Sequence, residues 1–262
     1  MKKLLVTGIA LLCMVAVVSG LAGCYGVNNI TGSQKIETRE YANENFSRVD
    51  VSATIRVDIT RSDTYAVKVT ANDNLFDYIE VTQTGDTLRL RLKPFFSFRN
   101  TTVNAVIAMP DLRALTLSGA SSGEIAGFQS GSSTGITVSG ASRLDIVSLQ
   151  AQDLTMEISG ASRANGFVEA GDGRFTVSGA SNLELNGSAD SARMDGSGAS
   201  SLRMADFNIL NATVGLSGAS NASIQVNGKL DLELSGASRL TLGGNPTMGK
   251  VQISGASSLS RR

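Results

Sequence analysis

Serines in a fixed setting are the first residues of this chain to invite a chemical reading. The tetrapeptide Ser-Gly-Ala-Ser begins at Ser118, Ser139, Ser159, Ser178, Ser197, Ser217, Ser235 and Ser254, in steps of 18 to 21 residues. A nucleophilic serine needs a base, and the chain contains no histidine. That removes Ser-His-Asp triads, imidazole bases and most zinc sites. Eight nucleophiles in one chain also make little chemical sense. The repeated serines are therefore read as structural, bonded along a ladder or to backbone at a bend.

Carboxylates carry the remaining acid–base chemistry. Two positions before the first serine stand Thr116, Thr137, Glu157, Thr176, Asp195, Gly215, Glu233 and Gln252. If the repeats stack, Glu157, Asp195 and Glu233 lie ~9.6 Å apart on alternate rungs, at the edge of the range for inverting glycosidases. They stand on a flat, polar strand face and read better as solvent charges. A polysaccharide-active enzyme using Asp and Glu alone stays as an alternative. Glu124 and Asp145 fall closer, ~4.8 Å apart on adjacent rungs. Arg143 is placed to neutralise them, or a calcium ion to bridge them with Asn165, although three oxygens fall short of a usual calcium shell. Glu184 and Arg203, further along that column, read as a cross-rung ion pair of little energetic value. "GGNPTMGK", Gly243 to Lys250, imitates a phosphate loop but leads into a strand, so it is read as a long turn. No cofactor is expected.

The elements that position these groups follow from the same alignment. Three positions before the first serine every residue is apolar: Leu115, Ile136, Met156, Phe175, Met194, Val214, Leu232 and Val251. The residue just before the serine is also apolar in seven of eight copies, with polar residues mostly between. That is period-two alternation, a strand with one wet face. It resumes after the tetrapeptide with Leu144, Leu183, Leu202 and Leu240. Units of about 20 residues cannot each bury a face alone, so they are expected to coil into an all-β, right-handed parallel β-helix. Glycine suits a corner with positive φ, and alanine a narrow inward position. The first outward position after each corner holds Ser122, Arg143, Arg163, Asn182, Ser201, Asn221, Arg239 and Ser258. This polar stripe is the candidate surface for a glycan. Against it stand the lack of tryptophan and the few late aromatics.

Residues 36–110 alternate without the tetrapeptide and hold most of the aromatics. They read as an N-terminal β region and cap over the first rungs, with a tight turn at Thr84-Gly85-Asp86. "PFFSF", Pro94 to Phe98, is assigned to cap or core packing. Residues 111–262 form the repeat proper. Its last unit, "VQISGASSLSRR", is expected to leave an open rung that favours self-association.

The N-terminus supplies an address. Lys2 and Lys3, an uncharged apolar run from Leu4 to Gly20, and "LAGC" at 21–24 mark a processed secretory segment over residues 1–23. The pattern resembles a bacterial lipobox, in which Cys24 is lipidated, with 24–35 as a polar tether. Acylation at more than one point gives stable attachment. Sec-type export to the extracytoplasmic face of the envelope follows. With Cys13 in the discarded run, no thiol remains for a disulfide or thiolate metal site. Residues 24–262 carry a formal charge of −2, which offers no field for nucleic acid.

"FSRVDVSATIRVDIT", "VKVTANDNLFDYIEVTQTGDTLRLRL" and the SGAS units, over roughly residues 40–255, resemble the head GIN-domain family of auto-transporter adhesins. The Gly-Ile-Asn that names the family is replaced here near Ala53-Thr54-Ile55. The resemblance implies a secreted or lipoprotein β-helix in a family of unestablished biochemical activity; with no catalytic constellation among its residues, the chain is read as non-enzymatic, acting in surface adhesion, scaffolding or ligand contact. It also implies an alternative, an envelope-stress component that works through a protein partner.

Overall fold

A computed structural model of the protein describes residues 28–262; the signal segment and Cys24 lie outside the described residues. Each repeat is one coil of a β-solenoid, and the coils stack in up to three parallel ladders. The first ladder runs into the corner: Ala114–Leu117, Thr134–Val138 and their successors to Thr247–Ile253. Leu115, Ile136, Met156, Phe175, Met194, Val214, Leu232 and Val251 are register partners throughout. The second ladder leaves the corner, from Ser122–Ala126 to Ser258–Arg261. The third stacks Phe128, Leu149, Val168, Gly187 and Phe207, and ends at Val226 beside Ile209. Beyond Val226 the chain turns at once into Lys229–Leu234, which accounts for the shortest repeat spacing.

Leucine, isoleucine and valine from all three ladders fill the interior, and Phe175 meets Phe207 edge-on at 5.8 Å.

The corners stack as tightly as the strands. Each corner glycine has φ between 68° and 78°. The alanine N–H after it donates to the glycine carbonyl one coil earlier, as in Ala141 to Gly119 at 2.8 Å and Ala180 to Gly160 at 2.8 Å. A Cβ on Gly179 would stand 2.5 Å from the Gly160 oxygen, so glycine is required by contact as well as by φ.

Alanine departs from the sequence expectation. Ala120, Ala141, Ala161 and their equivalents are exposed, and the serine that follows is buried in the first seven copies and half-buried in the last. The left-handed glycine inverts the alternation at the corner, so alanine turns outward and serine inward. Ser121, Ser142, Ser162, Ser181, Ser200, Ser220 and Ser238 form a buried polar column inside an apolar rod. Most of these hydroxyls are hydrogen-bonded. Ser121, Ser220 and Ser238 donate to the carbonyl three residues earlier, at 2.7 to 2.8 Å, and Ser200 donates to Ser220 Oγ at 3.1 Å. The structural reading of the serines stands.

The front of the chain contains one further coil that the tetrapeptide conceals. Arg48–Val51 pairs with Ala114–Leu117, and Arg56–Arg61 with Ser122–Ala126. Ser52-Ala53-Thr54-Ile55 therefore occupies the corner below Ser118, with Ala53 at φ 74° in the glycine's place. Beneath this coil both ladders continue in the cap. Thr87–Leu92 pairs in parallel with Arg48–Val51 and forms a hairpin with Ile79–Thr84 through Gly85-Asp86. Val103–Met109 pairs in parallel with Arg56–Arg61, then antiparallel with Ala66–Asn72, which pairs with Ile36–Tyr41. Buried Asn72 fastens the base, donating to the Ser33 carbonyl at 2.5 Å and accepting from Thr102 N–H at 2.7 Å. Asn28–Thr31, within the stretch read as tether, is a strand paired in parallel with Phe96–Arg99.

Candidate contact surface

The polar stripe is a true column. Register joins Arg56, Ser122, Arg143, Arg163, Asn182, Ser201, Asn221, Arg239 and Ser258 without interruption. All lie at the surface, and the arginines are exposed. Arg56 belongs to this column but its corner lacks the tetrapeptide; aligning "VSATIR" with the repeat reveals it. Arg56 pairs with Asp58 at 3.3 Å. Among the described residues no ion pair forms at Arg143, Arg163 or Arg239, whereas Arg174, Arg193 and Arg203 elsewhere on the coils are paired.

Glu124, Asp145 and Asn165 are consecutive partners in the next outward column, as the calcium alternative requires, with Asp58 directly below Glu124. Arg143 forms no ion pair with either neighbouring acid, so the expected neutralisation is not made. Among the described residues no group of three or more His, Cys, Asp or Glu side chains is arranged to hold a metal ion. Higher in the column, Arg203 reaches Glu184 at 3.5 Å with both side chains more than half exposed, the pair expected from sequence.

A second feature lies across the corner ridge. Over the first ladder, the outer face between residues 176 and 250 is hollowed into an open groove of about 730 Å³. Gly215 sits between Asp195 and Glu233 in register, in the column where threonine is commonest, so the sheet lacks a side chain there. Arg193, Lys229, Asp231 and Lys250 complete the charged lining. Glu157 lies outside it, so the groove brings together two of the three alternate-rung acids.

The carboxylates of this groove are largely committed to cations. Arg193 Nε lies 2.9 Å from Asp195 Oδ2, and its Nη2 lies 3.1 Å from Oδ1. Asp231 accepts the Lys250 N–H at 2.7 Å and pairs with Lys229 at 3.1 Å, which hold its carboxyl below the usual carboxylate range. General acid catalysis needs a carboxyl raised toward neutrality, the opposite shift. Ser197, Ser217 and Ser235 line the near wall, so the groove offers charge pairs and hydroxyls suited to holding a polar ligand.

Gly243 to Lys250 leads into a strand and not a helix, as expected for this phosphate-loop mimic, but the long turn is confined to residues 244–246, because the strand Thr247–Ile253 already includes Thr247 to Lys250. "PFFSF" divides. Phe96 and Phe98 pack on Tyr78 with ring centroids 4.9 and 6.1 Å away, while Phe95 is 88% exposed.

Three solved structures share this architecture. A "putative adhesin" from Parabacteroides merdae superposes with a TM-score of 0.84 at 14% identity, covering 90% of this chain and 99% of that one. A "putative adhesin" from Parabacteroides distasonis gives 0.82 at 15% identity, over 90% and 100% of the two chains. A "putative lipid binding protein" from the same species gives 0.80 at 20% identity, again over 90% and 100%. No curated protein matches the chain. The family described as "Putative auto-transporter adhesin, head GIN domain" matches residues 45–246, which include the first concealed coil and seven of the eight repeated corners. This chain belongs to that head GIN domain family.

Proposed function

We propose that this chain is a non-enzymatic, adhesin-like solenoid, held at the extracytoplasmic face of the envelope by lipid on Cys24, and that it contacts glycans through its late-coil flank. The observation that carries the proposal is the adjacency of two features across one ridge. The Gly215 groove lies on one side of the Ser217 and Ser235 corners, and Asn221 and Arg239 stand on the other. Guanidinium, amide and hydroxyl groups at fixed spacing along a rigid ladder suit a polymer of repeating hydroxyls and acids. Arg143 and Arg163, which form no ion pair among the described residues, extend the surface with Asn182 toward earlier coils.

A glycan array probed with the secreted chain tests this. Gly215→Thr restores the commonest residue of its column. The new Cβ would stand 3.1 Å from Asp195 Oδ1 and meet nothing else within 4 Å, so that surface carboxylate, held by Arg193, must shift by a few tenths of an ångström as the groove fills. Binding by the parent chain that falls about ten-fold or more in Gly215→Thr, a loss of ~1.4 kcal/mol, places the ligand in the groove. An equal loss only in Arg143→Ala/Arg163→Ala/Arg239→Ala places it on the stripe. Silence across the array overturns glycan contact and favours an envelope protein partner.

A further inference from the structure

Phe95 is the surface residue least explained by the fold. Its side chain is 88% exposed and its φ is 68°, a conformation that bulky residues rarely adopt. Glycine or asparagine would make this turn without strain. The packing needs of the aromatic cluster are met by Phe96, Phe98 and Tyr78 without it. Backbone and packing both disfavour phenylalanine here, and no contact among the described residues accounts for it.

Its location identifies that contact. Phe95 immediately precedes the strand Phe96–Arg99, which pairs in parallel with Asn28–Thr31, and Asn28 stands opposite Phe96. Because the strands are parallel, the chain ahead of Asn28 starts from the Phe95 end. Cys24 is four residues ahead of Asn28, a reach of at most ~14 Å even when fully extended. Acyl chains on Cys24 therefore hold the bilayer surface close to this turn. Lys93, exposed two residues before Phe95, forms no ion pair among the described residues, so it is available to anionic headgroups.

We infer that Phe95, with Lys93 beside it, is a membrane contact: the ring enters the interface of the bilayer that carries the Cys24 lipid. The contact turns the cap toward the membrane and presents the repeat coils, with their groove and arginine column, away from it. It rests on the lipid-anchored reading, and its test separates the two.

The chain has no tryptophan, so Phe95→Trp introduces a single fluorescent reporter. The full-length protein, acylated in a bacterial envelope and purified, is reconstituted into phosphatidylethanolamine–phosphatidylglycerol vesicles with brominated acyl chains. A Val147→Trp variant, on the flank of a coil where Val147 is 58% exposed, serves as the comparison. Flotation with the vesicles reports the anchor; indole emission reports the contact. The expected result is flotation of both variants, with a blue shift and about two-fold quenching only in Phe95→Trp, at the ~5–10 Å depth of interfacial side chains. Flotation with water-like emission from both variants overturns the inference and leaves the anchor standing. Failure to float overturns the anchored reading, and the inference falls with it.

Discussion

At the scale of single residues, the inward serines show how a polar group is accommodated in an apolar rod. A buried hydroxyl stabilises when bonded and costs about 1–3 kcal/mol when orphaned. Ser220 is doubly used: it donates to the Ser217 carbonyl at 2.7 Å and accepts from Ser200 at 3.1 Å. Ser142 Oγ has no partner among the described residues. Ser220→Ala is expected to destabilise by about 1–2 kcal/mol and Ser142→Ala to be neutral or mildly stabilising. Chemical denaturation of the two variants checks this; equal losses would show that the column acts through packing alone. The serine pattern was legible in sequence as structural. Its inward direction was not, because the sign of the alternation across a left-handed corner depends on how the chain bends.

At the scale of the element, the glycine corner demands more than a permissive dihedral. Gly85 and Gly179 both have positive φ, at 58° and 71°, yet a Cβ on Gly85 would meet nothing within 4 Å. Gly85→Ala therefore carries only the left-handed penalty, about 1–2 kcal/mol. Gly179→Ala adds a collision with the Gly160 carbonyl and is expected to cost at least about 1 kcal/mol more. Thermal melting of the two variants should separate them by several degrees, and coincident curves would refute a stacked corner. Ala53 fits the same logic. Each corner's Cβ direction points at the coil below, and Ala53 is in the lowest corner, where no glycine carbonyl lies beneath. The element existed in the sequence as "VSATIR", but without Gly-Ala-Ser only strand register made it a corner.

At the scale of the molecule, the two ends of the rod are unlike. The first coil rests on cap strands paired to it in parallel, and antiparallel strands and Asn72 close the base beyond them. At the other end Val251 and Ile253, in core columns, are 43% and 45% exposed, with Leu259 half-buried beside them. We propose that this rung supports self-association, since its outer edge has no partner among the described residues and lies beside exposed apolar side chains, a template for another chain. Sedimentation of the secreted chain should show concentration-dependent association that Val251→Lys/Ile253→Lys abolishes. A monomer at every concentration would reject it.

Sequence alone determined what repeats locally. The columns, the glycine corners, the polar stripe and the Glu184–Arg203 pair all follow from period-two alternation carried on an 18 to 21 residue repeat, because stacking places like positions together. Only the tertiary structure decided what depends on partners far apart in the chain. Ile36–Tyr41 lies against Ala66–Asn72, and Ala66–Asn72 against Val103–Met109, pairings that no local pattern specifies. The groove likewise needs Asp195, Gly215 and Glu233 in one plane beside Lys250. A missing side chain in one coil becomes a cavity only when its neighbours two coils apart are brought to its rim.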